Sequence, residues 1–174
     1  MTQAFVAVGS NIDPERNVLE ALCLLAGYCG VTGVSTVYRT EAVGAPGRPR
    51  YYNCVARVET LLSPGEFKRS VLKRIESELG RVRSVDRFGD RTIDLDLILF
   101  GSAAISLPSL TIPDPEILKR PYLALPLYEL APGLALPGSG KRVSELAASM
   151  STSGMEPLTD YTEIIRREVV RDCC

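Results

Sequence analysis

One stretch of the chain, residues 81–100, reads R-V-R-S-V-D-R-F-G-D-R-T-I-D-L-D-L-I-L-F. Its apolar second part, residues 93–100, is typical of a strand that enters a hydrophobic core. On such a strand Asp94 and Asp96 lie on one face, because successive side chains point to opposite faces. Two neighbouring carboxylates repel each other unless cations lie between them. Together with the four arginines that precede it, this diacid indicates a clamp for polyphosphate and its magnesium ions.

Upstream of this stretch, strand and helix patterns alternate. Asp13 is predicted to cap a helix that has Pro14 at its first position and Gly30 as its stop. Residues 63–66, S-P-G-E, form a capping box for a second helix, which Gly80 ends. With strands at residues 5–8, 34–39, 52–61 (half-buried) and 93–100, these helices give the order β-α-β-β-α-β. The predicted fold class is α+β, a ferredoxin-like core with helices on one face of a mainly antiparallel sheet.

The part after residue 100 is predicted to add smaller elements. Residues 107–112 are interpreted as a strand of an extra C-terminal hairpin, and short helices are expected at residues 122–130 and 143–150. A late strand is predicted at residues 160–165, and the rest of the tail, residues 151–174, receives no assignment. The sequence contains neither an internal repeat nor a linker, so a single domain is predicted over residues 1–174.

The composition is that of an ordinary globular domain, with 45% hydrophobic and 24% charged residues. The net charge of −1 gives no overall basic field, so neither nucleic acid nor a membrane surface is predicted as a partner. No segment approaches the roughly 18 apolar residues of a membrane span, and the N-terminus lacks the basic region of a signal peptide. The five cysteines form no C-x-x-C pair and are interpreted as reduced thiols. We therefore expect a cytoplasmic protein.

The chain contains no histidine. This excludes Ser-His-Asp and Cys-His catalysis, an H-E-x-x-H zinc site and any imidazole base. Carboxylates and arginines remain, and hard oxygen ligands favour magnesium or manganese over zinc or copper. Residues 138–142, G-S-G-K-R, lack the earlier glycine and the final hydroxyl residue of a phosphate-binding loop, so they are interpreted as a turn.

Several patches resemble the 6-hydroxymethyl-7,8-dihydropterin pyrophosphokinase family of the folate pathway. Residues 87–96, R-F-G-D-R-T-I-D-L-D, closely resemble the family signature. Further patches follow the family order at residues 8–11, 38–40, 51–53, 112–122 and 126–132, and the resemblance covers roughly residues 4–138. It implies an ATP-dependent diphosphotransferase that moves the terminal pyrophosphate of ATP to the hydroxymethyl group of a reduced pterin and releases AMP.

The resemblance implies roles for the charged residues. Asp94 and Asp96 would be the ligands of two magnesium ions that bridge the triphosphate. Arg81 and Arg91 would be the catalytic arginines, which hold ATP and neutralise the charge of the transferred group. Arginine forks suit phosphate oxygens, and phosphoryl transfer needs positioning and charge neutralisation more than covalent help.

The resemblance also implies two sets of binding residues. Asn53 would read the edge of the pterin, and Tyr51 and Tyr122 would sandwich its ring. The pterin-binding set is Thr40, Val43, Tyr51, Asn53, Phe88 and Tyr122. The ATP-binding set is Glu76, Arg83, Arg87, Leu97, Leu110, Thr111, Asp114 and Arg120. The enzyme is expected to be a monomer that acts on these two small molecules.

Three positions depart from the usual family pattern. Phe88 stands where the family usually has Trp, Asp90 where it has Pro, and Asp114 where it has His. Asp90 makes the arginine segment less basic. A carboxylate at Asp114 would repel phosphate unless it faces a magnesium ion or Arg120.

Two other functions stay open on the sequence alone. A relative that has lost catalysis and only binds pterin or nucleotide would explain Asp90 and Asp114. An RNA-binding module shares the β-α-β-β-α-β order, but such modules carry aromatic residues on the central strands. Taken singly, the diacid could also be a solvated sheet face, the tyrosines packing residues, and Glu76 a solvent-exposed residue on a helix flank.

Overall fold

The computed structural model describes residues 1–42, 47–82 and 89–170. Its first half contains β1 (Thr2–Ser10), α1 (Pro14–Tyr28), β2 (Gly30–Val34), β3 (Tyr38–Thr40) and β4 (Tyr51–Thr60). A continuous helical segment follows, made of α2 (Pro64–Glu66), a π-helical part (Phe67–Leu72) and α3 (Lys73–Glu78). The remaining elements are β5 (Asp94–Phe100), β6 (Ile105–Leu107), β7 (Leu110–Ile112), a 3₁₀ helix (Pro115–Leu118), α4 (Pro121–Leu130), α5 (Val143–Ser149), β8 (Met155–Pro157) and α6 (Thr159–Val169).

The main sheet has six strands in the order β5-β1-β4-β3-β8, and β2 also pairs with β4. Every pairing in it is antiparallel. In the register of the central strands, Gly9 of β1 lies opposite Asn53 of β4 on one side and opposite Asp94 of β5 on the other. The predicted α+β class with a ferredoxin-like core is confirmed, and β6 and β7 form the extra hairpin.

Both faces of the sheet are covered, whereas the sequence predicts helices on one face only. One face packs against α1, α3 and α6 and buries Leu22 and Ile75. On the other face, Val55 of β4 packs in a second core with Leu127 of α4 and Val143 of α5. Because this second face is covered, the described sheet lacks the open aromatic surface that RNA-recognition domains use.

The predicted strand at residues 34–39 is divided into β2 and β3. Ser35 is fully buried, and its hydroxyl oxygen accepts a hydrogen bond from the N–H of Val55 at 2.9 Å. The N–H groups of Thr36 and Val37 donate to the side chains of Glu129 and Thr162, at 2.7 and 2.9 Å. Since these amides bond to side chains outside the sheet, the ladder is interrupted between the two strands.

The predicted boundaries of the first helix are only partly right. Pro14 is at its first position, as predicted. Asp13 has left-handed backbone angles, φ 40° and ψ 53°, and within the described residues its side chain makes no capping hydrogen bond. The capping prediction is wrong because a capping side chain requires an extended backbone at this position. The helix ends at Tyr28, and Gly30 begins β2.

The capping box of the second helical segment is confirmed. The Ser63 hydroxyl accepts from the N–H of Glu66 at 3.4 Å, and the Glu66 carboxylate accepts from the N–H of Ser63 at 3.1 Å. Gly80 follows the end of α3 with φ +69°, a conformation that favours glycine.

Three C-terminal predictions have different outcomes. Residues 107–112 are not one strand, because Pro108, which cannot donate to a ladder, lies in the turn between β6 and β7. The short helices are confirmed as α4 and α5. The late strand at residues 160–165 is wrong: Thr162, Ile165 and Val169 are the buried residues of α6, at helical spacing. Among the helices of the described ranges, none has the length and apolar character needed to span a bilayer.

Candidate active site

The cleft beside the ends of β1, β4 and β5 has a volume of about 320 Å³. Nine of the residues that the sequence predicts for the site line it: Thr40, Tyr51, Asn53, Arg91, Asp94, Asp96, Asp114, Arg120 and Tyr122. Five other predicted residues within the described ranges are not part of its lining: Glu76, Arg81, Leu97, Leu110 and Thr111. The predicted residues Val43, Arg83, Arg87 and Phe88 lie outside the described residues.

The charged side of the cleft consists of Asp94 and Asp96 of β5 with Arg91. The two aspartates alternate with the buried Ile93, Leu95 and Leu97, so they share the face of β5 that the sequence predicts. One oxygen of Asp94 contacts the guanidinium of Arg91, and the other contacts Arg81. Arg91 is thus placed at the diacid, and Arg81 approaches the same carboxylate from outside the cleft lining.

The electrostatics of the diacid follow from burial and from the second carboxylate. Burial, with repulsion from Asp94, raises the pKa of Asp96 from 3.8 to about 6. Burial alone would lower the pKa of Arg91, but the charge of Asp94 raises it. The carboxylates therefore attract a further cation. In the described part of the chain, no three His, Cys, Asp or Glu side chains form a ready-made metal site; magnesium commonly binds through one or two carboxylates, with water and substrate phosphate oxygens as its other ligands.

Glu76 lies behind the diacid and not on a solvated helix flank. Glu76 is only 2% exposed, which contradicts the interpretation of this residue as solvent-exposed. One oxygen accepts from the N–H of Leu95 at 2.9 Å and contacts Arg81, and the other accepts from Lys73 Nζ at 2.7 Å. The contact with ATP that the resemblance implies for Glu76 stays a prediction.

Asp114 begins the 3₁₀ helix beside β5, where its N–H donates to the carbonyl oxygen of Ile98 at 2.9 Å, and its charge helps to raise the pKa of Asp96. One carboxylate oxygen of Asp114 accepts from the N–H of Glu116 at 2.8 Å, and burial raises the pKa of Asp114. Arg120 pairs with Glu116 at 2.8 Å, and this hydrogen bond lowers the pKa of Glu116. The sequence analysis missed Glu116, although its spacing of four residues from Arg120 is typical of an ion pair on a helix.

The neutral side of the cleft consists of Thr40 of β3 with Tyr51 and Asn53 of β4. The Asn53 amide nitrogen donates to the Thr40 hydroxyl at 2.8 Å. A Cβ atom at Gly9 would lie 2.9 Å from Asn53 Oδ1, so glycine at that position leaves room for the Asn53 side chain. Burial raises the pKa of Tyr51 above its ordinary value of 10, so its hydroxyl stays protonated well beyond neutral pH.

Asn11 is the second residue that the sequence analysis missed. It is 5% exposed, and its side-chain oxygen accepts from the N–H of Arg91 at 2.7 Å. Its amide nitrogen donates to Asp90 Oδ1 at 2.8 Å. Residues 90 and 91 are therefore fixed to the end of β1 just before the diacid, and Asp90, a departure from the family pattern, takes part in this attachment. The patch at residues 8–11 belongs to the family resemblance and so pointed to this region, but the sequence alone does not reveal which residues Asn11 bonds to.

A cleft of this kind, with a diacid and arginines facing a neutral hydrogen-bonding wall, is typical of enzymes that transfer phosphate groups between two bound substrates. The model of the family 7,8-dihydro-6-hydroxymethylpterin-pyrophosphokinase matches residues 5–132. The chain belongs to this family.

Individual relatives agree with that assignment. A 2-amino-4-hydroxy-6-hydroxymethyldihydropteridine pyrophosphokinase of Haemophilus influenzae is 39% identical over 143 residues, which cover 80% of this chain and 88% of the relative. The enzyme of the same name from Pseudomonas aeruginosa is 36% identical over 159 residues, covering 90% and 96% of the two chains.

Solved structures support the fold. The Plasmodium falciparum HPPK-DHPS protein with SDX-DHP superposes with a TM-score of 0.68 at 13% identity. The match covers 90% of this chain and 47% of the Plasmodium chain, so this chain spans about half the length of that protein. At this identity the likeness concerns the fold alone.

Proposed function

We propose that this chain transfers pyrophosphate from ATP to 6-hydroxymethyl-7,8-dihydropterin, giving AMP and the pterin diphosphate in folate biosynthesis. Family membership supports the reaction. The single observation that carries the assignment to this cleft is that one cavity joins the diacid with Arg91 to the hydrogen-bonded pair Asn53 and Thr40. One side suits a triphosphate and the other suits the polar edge of a flat heterocycle.

On the charged side, Asp94 and Asp96 are proposed to hold two magnesium ions. The fit rests on hard oxygen donors that share one face of β5 and on the burial and repulsion that raise the pKa of Asp96. Magnesium held by Asp94 and Asp96 would supply positive charge that neutralises the triphosphate. Arg91 lines the cleft and contacts Asp94, so its guanidinium lies where it can turn to phosphate oxygens. Arg81 contacts the same carboxylate from outside the lining and is proposed to act with it.

The reaction is an in-line substitution at the β-phosphorus of ATP. The oxygen of the pterin hydroxymethyl group forms the new bond, the bond from the β-phosphorus to the oxygen bridging to the α-phosphate breaks, and AMP leaves with that electron pair. The hydroxyl proton passes to water. The arginines stabilise the charge that develops on the transferred group, and the cleft walls orient the two substrates.

On the neutral side, Asn53 and Thr40 are proposed to bind the pterin edge, with Tyr51 and Tyr122 against its ring. The amide and hydroxyl provide donors and acceptors without a net charge, and the tyrosine rings provide flat apolar surface. We further propose that the protein is a monomeric cytoplasmic enzyme, with residues 1–174 forming one domain.

The test is AMP release from magnesium-ATP, measured with and without the pterin and with EDTA in excess. We expect AMP only when both pterin and free divalent cation are present, with pterin diphosphate identified by mass spectrometry. ADP in place of AMP would show transfer of a single phosphate and contradict the proposal. Bound pterin without AMP would indicate a relative that has lost catalysis.

A further inference from the structure

Glu76 is a buried carboxylate that does not line the cleft, although it lies directly behind the diacid. Glu76 belongs to α3 and is 2% exposed. A carboxylate so far from water is costly unless it is paired and hydrogen-bonded. Its partners therefore show what holds it in place.

Two of these partners are the backbone of β5 at the diacid and a lysine of α3. The N–H of Leu95, which lies between Asp94 and Asp96 in the chain, donates to Glu76 Oε1 at 2.9 Å. Because β5 is an edge strand of the sheet, this bond fixes its outer edge at the diacid. Lys73 Nζ donates to the other oxygen at 2.7 Å.

Arg81 is attached to Glu76 at two points. Its backbone N–H donates to the carbonyl oxygen of Glu76 at 2.9 Å, and its Nη1 contacts Glu76 Oε1. The same Nη1 contacts Asp94 Oδ1. The guanidinium is thus held between the buried glutamate and the first aspartate of the diacid.

We propose that Glu76 is a positioning residue, which orients the Arg81 guanidinium and the edge of β5 at the diacid instead of binding ATP itself. The kinetic part of this inference rests on the proposed pyrophosphate transfer. It differs from the role that the family resemblance implies for Glu76, and the difference is measurable. A residue that acts through Arg81 has an effect that depends on Arg81.

The experiment is a double-mutant cycle with Glu76→Gln and Arg81→Met. Glutamine can still accept from the N–H of Leu95, so it removes the charge with little loss of packing. We expect Glu76→Gln to lower kcat/KM for ATP by about 10- to 100-fold, as is usual when a partner of a site residue is lost, with the KM for pterin unchanged. In the Arg81→Met background the same substitution should have less than about a twofold effect, because contacting residues act non-additively.

Glu78→Gln is the matched control, since Glu78 is on the same helix and pairs with Arg74 at 2.9 Å on the surface. It should leave both kinetic constants unchanged. Glu76→Ala, which also removes the acceptor of the Leu95 N–H, should be more impaired than Glu76→Gln. If glutamine and alanine are equally impaired, the hydrogen bond to β5 has no positioning effect and that part of the inference is overturned.

Binding of the non-hydrolysable α,β-methylene analogue of ATP, measured by calorimetry with magnesium, provides a second readout that needs no turnover. The same non-additivity in analogue affinity would support the inference even if the wild-type chain released no AMP, an outcome that would defeat only the proposed function. Additive effects of Glu76→Gln and Arg81→Met in either readout would overturn it. So would a lowered melting temperature without any coupling, because Glu76 would then be merely structural.

Discussion

The charged and neutral sides of the cleft are adjacent in space but are built in different ways. Asp94, Asp96 and Arg91 come from one short piece of chain that ends in β5. Thr40, Tyr51 and Asn53 come from two strands and meet only through the pairing of β3 with β4. β1 lies between the two sides, and its Gly9 is opposite both Asp94 and Asn53.

The two sides also differ in the electrostatic free energy of their side chains. The charged side holds two like charges, and burial, with their repulsion, raises the pKa of Asp96. On the neutral side, the amide and hydroxyl already satisfy each other at 2.8 Å. The arginines contact Asp94, so the buried charge of Asp96 is relieved only by a proton or by a bound cation, whereas the neutral side is prepared without either. Substitutions on the first side should act on chemistry, and those on the second on pterin binding.

The largest effect that this comparison predicts is for Asp96→Ala. Loss of one carboxylate of the diacid should lower kcat for AMP release by about 10²–10³-fold or more, because charge neutralisation at the triphosphate is lost. The affinity for pterin alone should stay close to that of the wild type. AMP release and pterin binding by fluorescence measure the two quantities.

Asp160→Ala is the control for Asp96→Ala, because Asp160 is exposed in the first turn of α6. It should leave kcat unchanged. An Asp96→Ala variant that kept wild-type turnover would show that the diacid takes no part in the mechanism and that the charged side does not act on the chemistry.

The next largest effect is predicted for Asn53→Ala. Without the amide, the pterin edge and the Thr40 hydroxyl lose their partner, so the KM for pterin should rise by about 10- to 100-fold. The KM for ATP should change little, since Asn53 lies on the neutral side. Steady-state kinetics with each substrate varied in turn make the measurement.

Asn17→Ala serves as the control, because Asn17 donates to the carbonyl oxygen of Ile12 at 2.6 Å outside the cleft. If Asn53→Ala raised the KM values for ATP and pterin equally, the two sides would not be separate functional units.

The charged side could be predicted from the sequence because its geometry is local. Side chains two positions apart on a strand share a face, so Asp94 and Asp96 needed no knowledge of the fold. The neutral side depends on the register in which β3 pairs with β4, and a tyrosine or asparagine in the sequence does not by itself specify that register. Only the family resemblance brought Tyr51 and Asn53 forward.

The residues that the sequence analysis missed or misjudged act across long separations in the chain. Asn11 contacts Asp90 and Arg91, about 80 positions away, and no local pattern reveals such a bond. Glu76 looked like a flank residue because its partner Leu95 belongs to another element. The late strand at residues 160–165 is wrong for a different reason, because the buried residues of α6 have a helical spacing that the sequence itself contains.

A smaller effect, on stability, is predicted for Asp96→Asn in metal-free buffer. The folded-state pKa of Asp96, about 6, lies above its ordinary value of 3.8, so the unfolded chain releases this proton first. The charged form therefore destabilises the fold fully above about pH 6 and not below about pH 4. Asparagine removes that penalty, and at pH 8 the free energy of unfolding should rise by about 1–2 kcal/mol, or the melting temperature by about 2–6 °C.

The gain from Asp96→Asn should shrink towards zero as the pH falls from 6 to 4, because protonated Asp96 and asparagine are nearly isosteric and both neutral. Thermal unfolding in EDTA between pH 4 and pH 8 measures it. A gain that was constant with pH would mean that the buried charge of Asp96 does not set the charged side apart from the neutral side.

The smallest effect is predicted for Glu156→Gln, which tests how far the neutral side depends on the tail. β8 pairs with β3 beside Thr40, and Glu156 pairs with Arg39 at 2.6 Å, but the two side chains are 49% and 37% exposed. Exposed ion pairs contribute little, because water and salt screen them.

The KM for pterin should therefore change by less than about twofold in Glu156→Gln, and any change should diminish further at high salt. Arg16→Gln, which removes an exposed ion pair within α1, is the matched control. A rise in the pterin KM as large as that expected for Asn53→Ala would show that surface charge holds β3 in place, and the neutral side would then depend on charge as much as the side that carries the diacid.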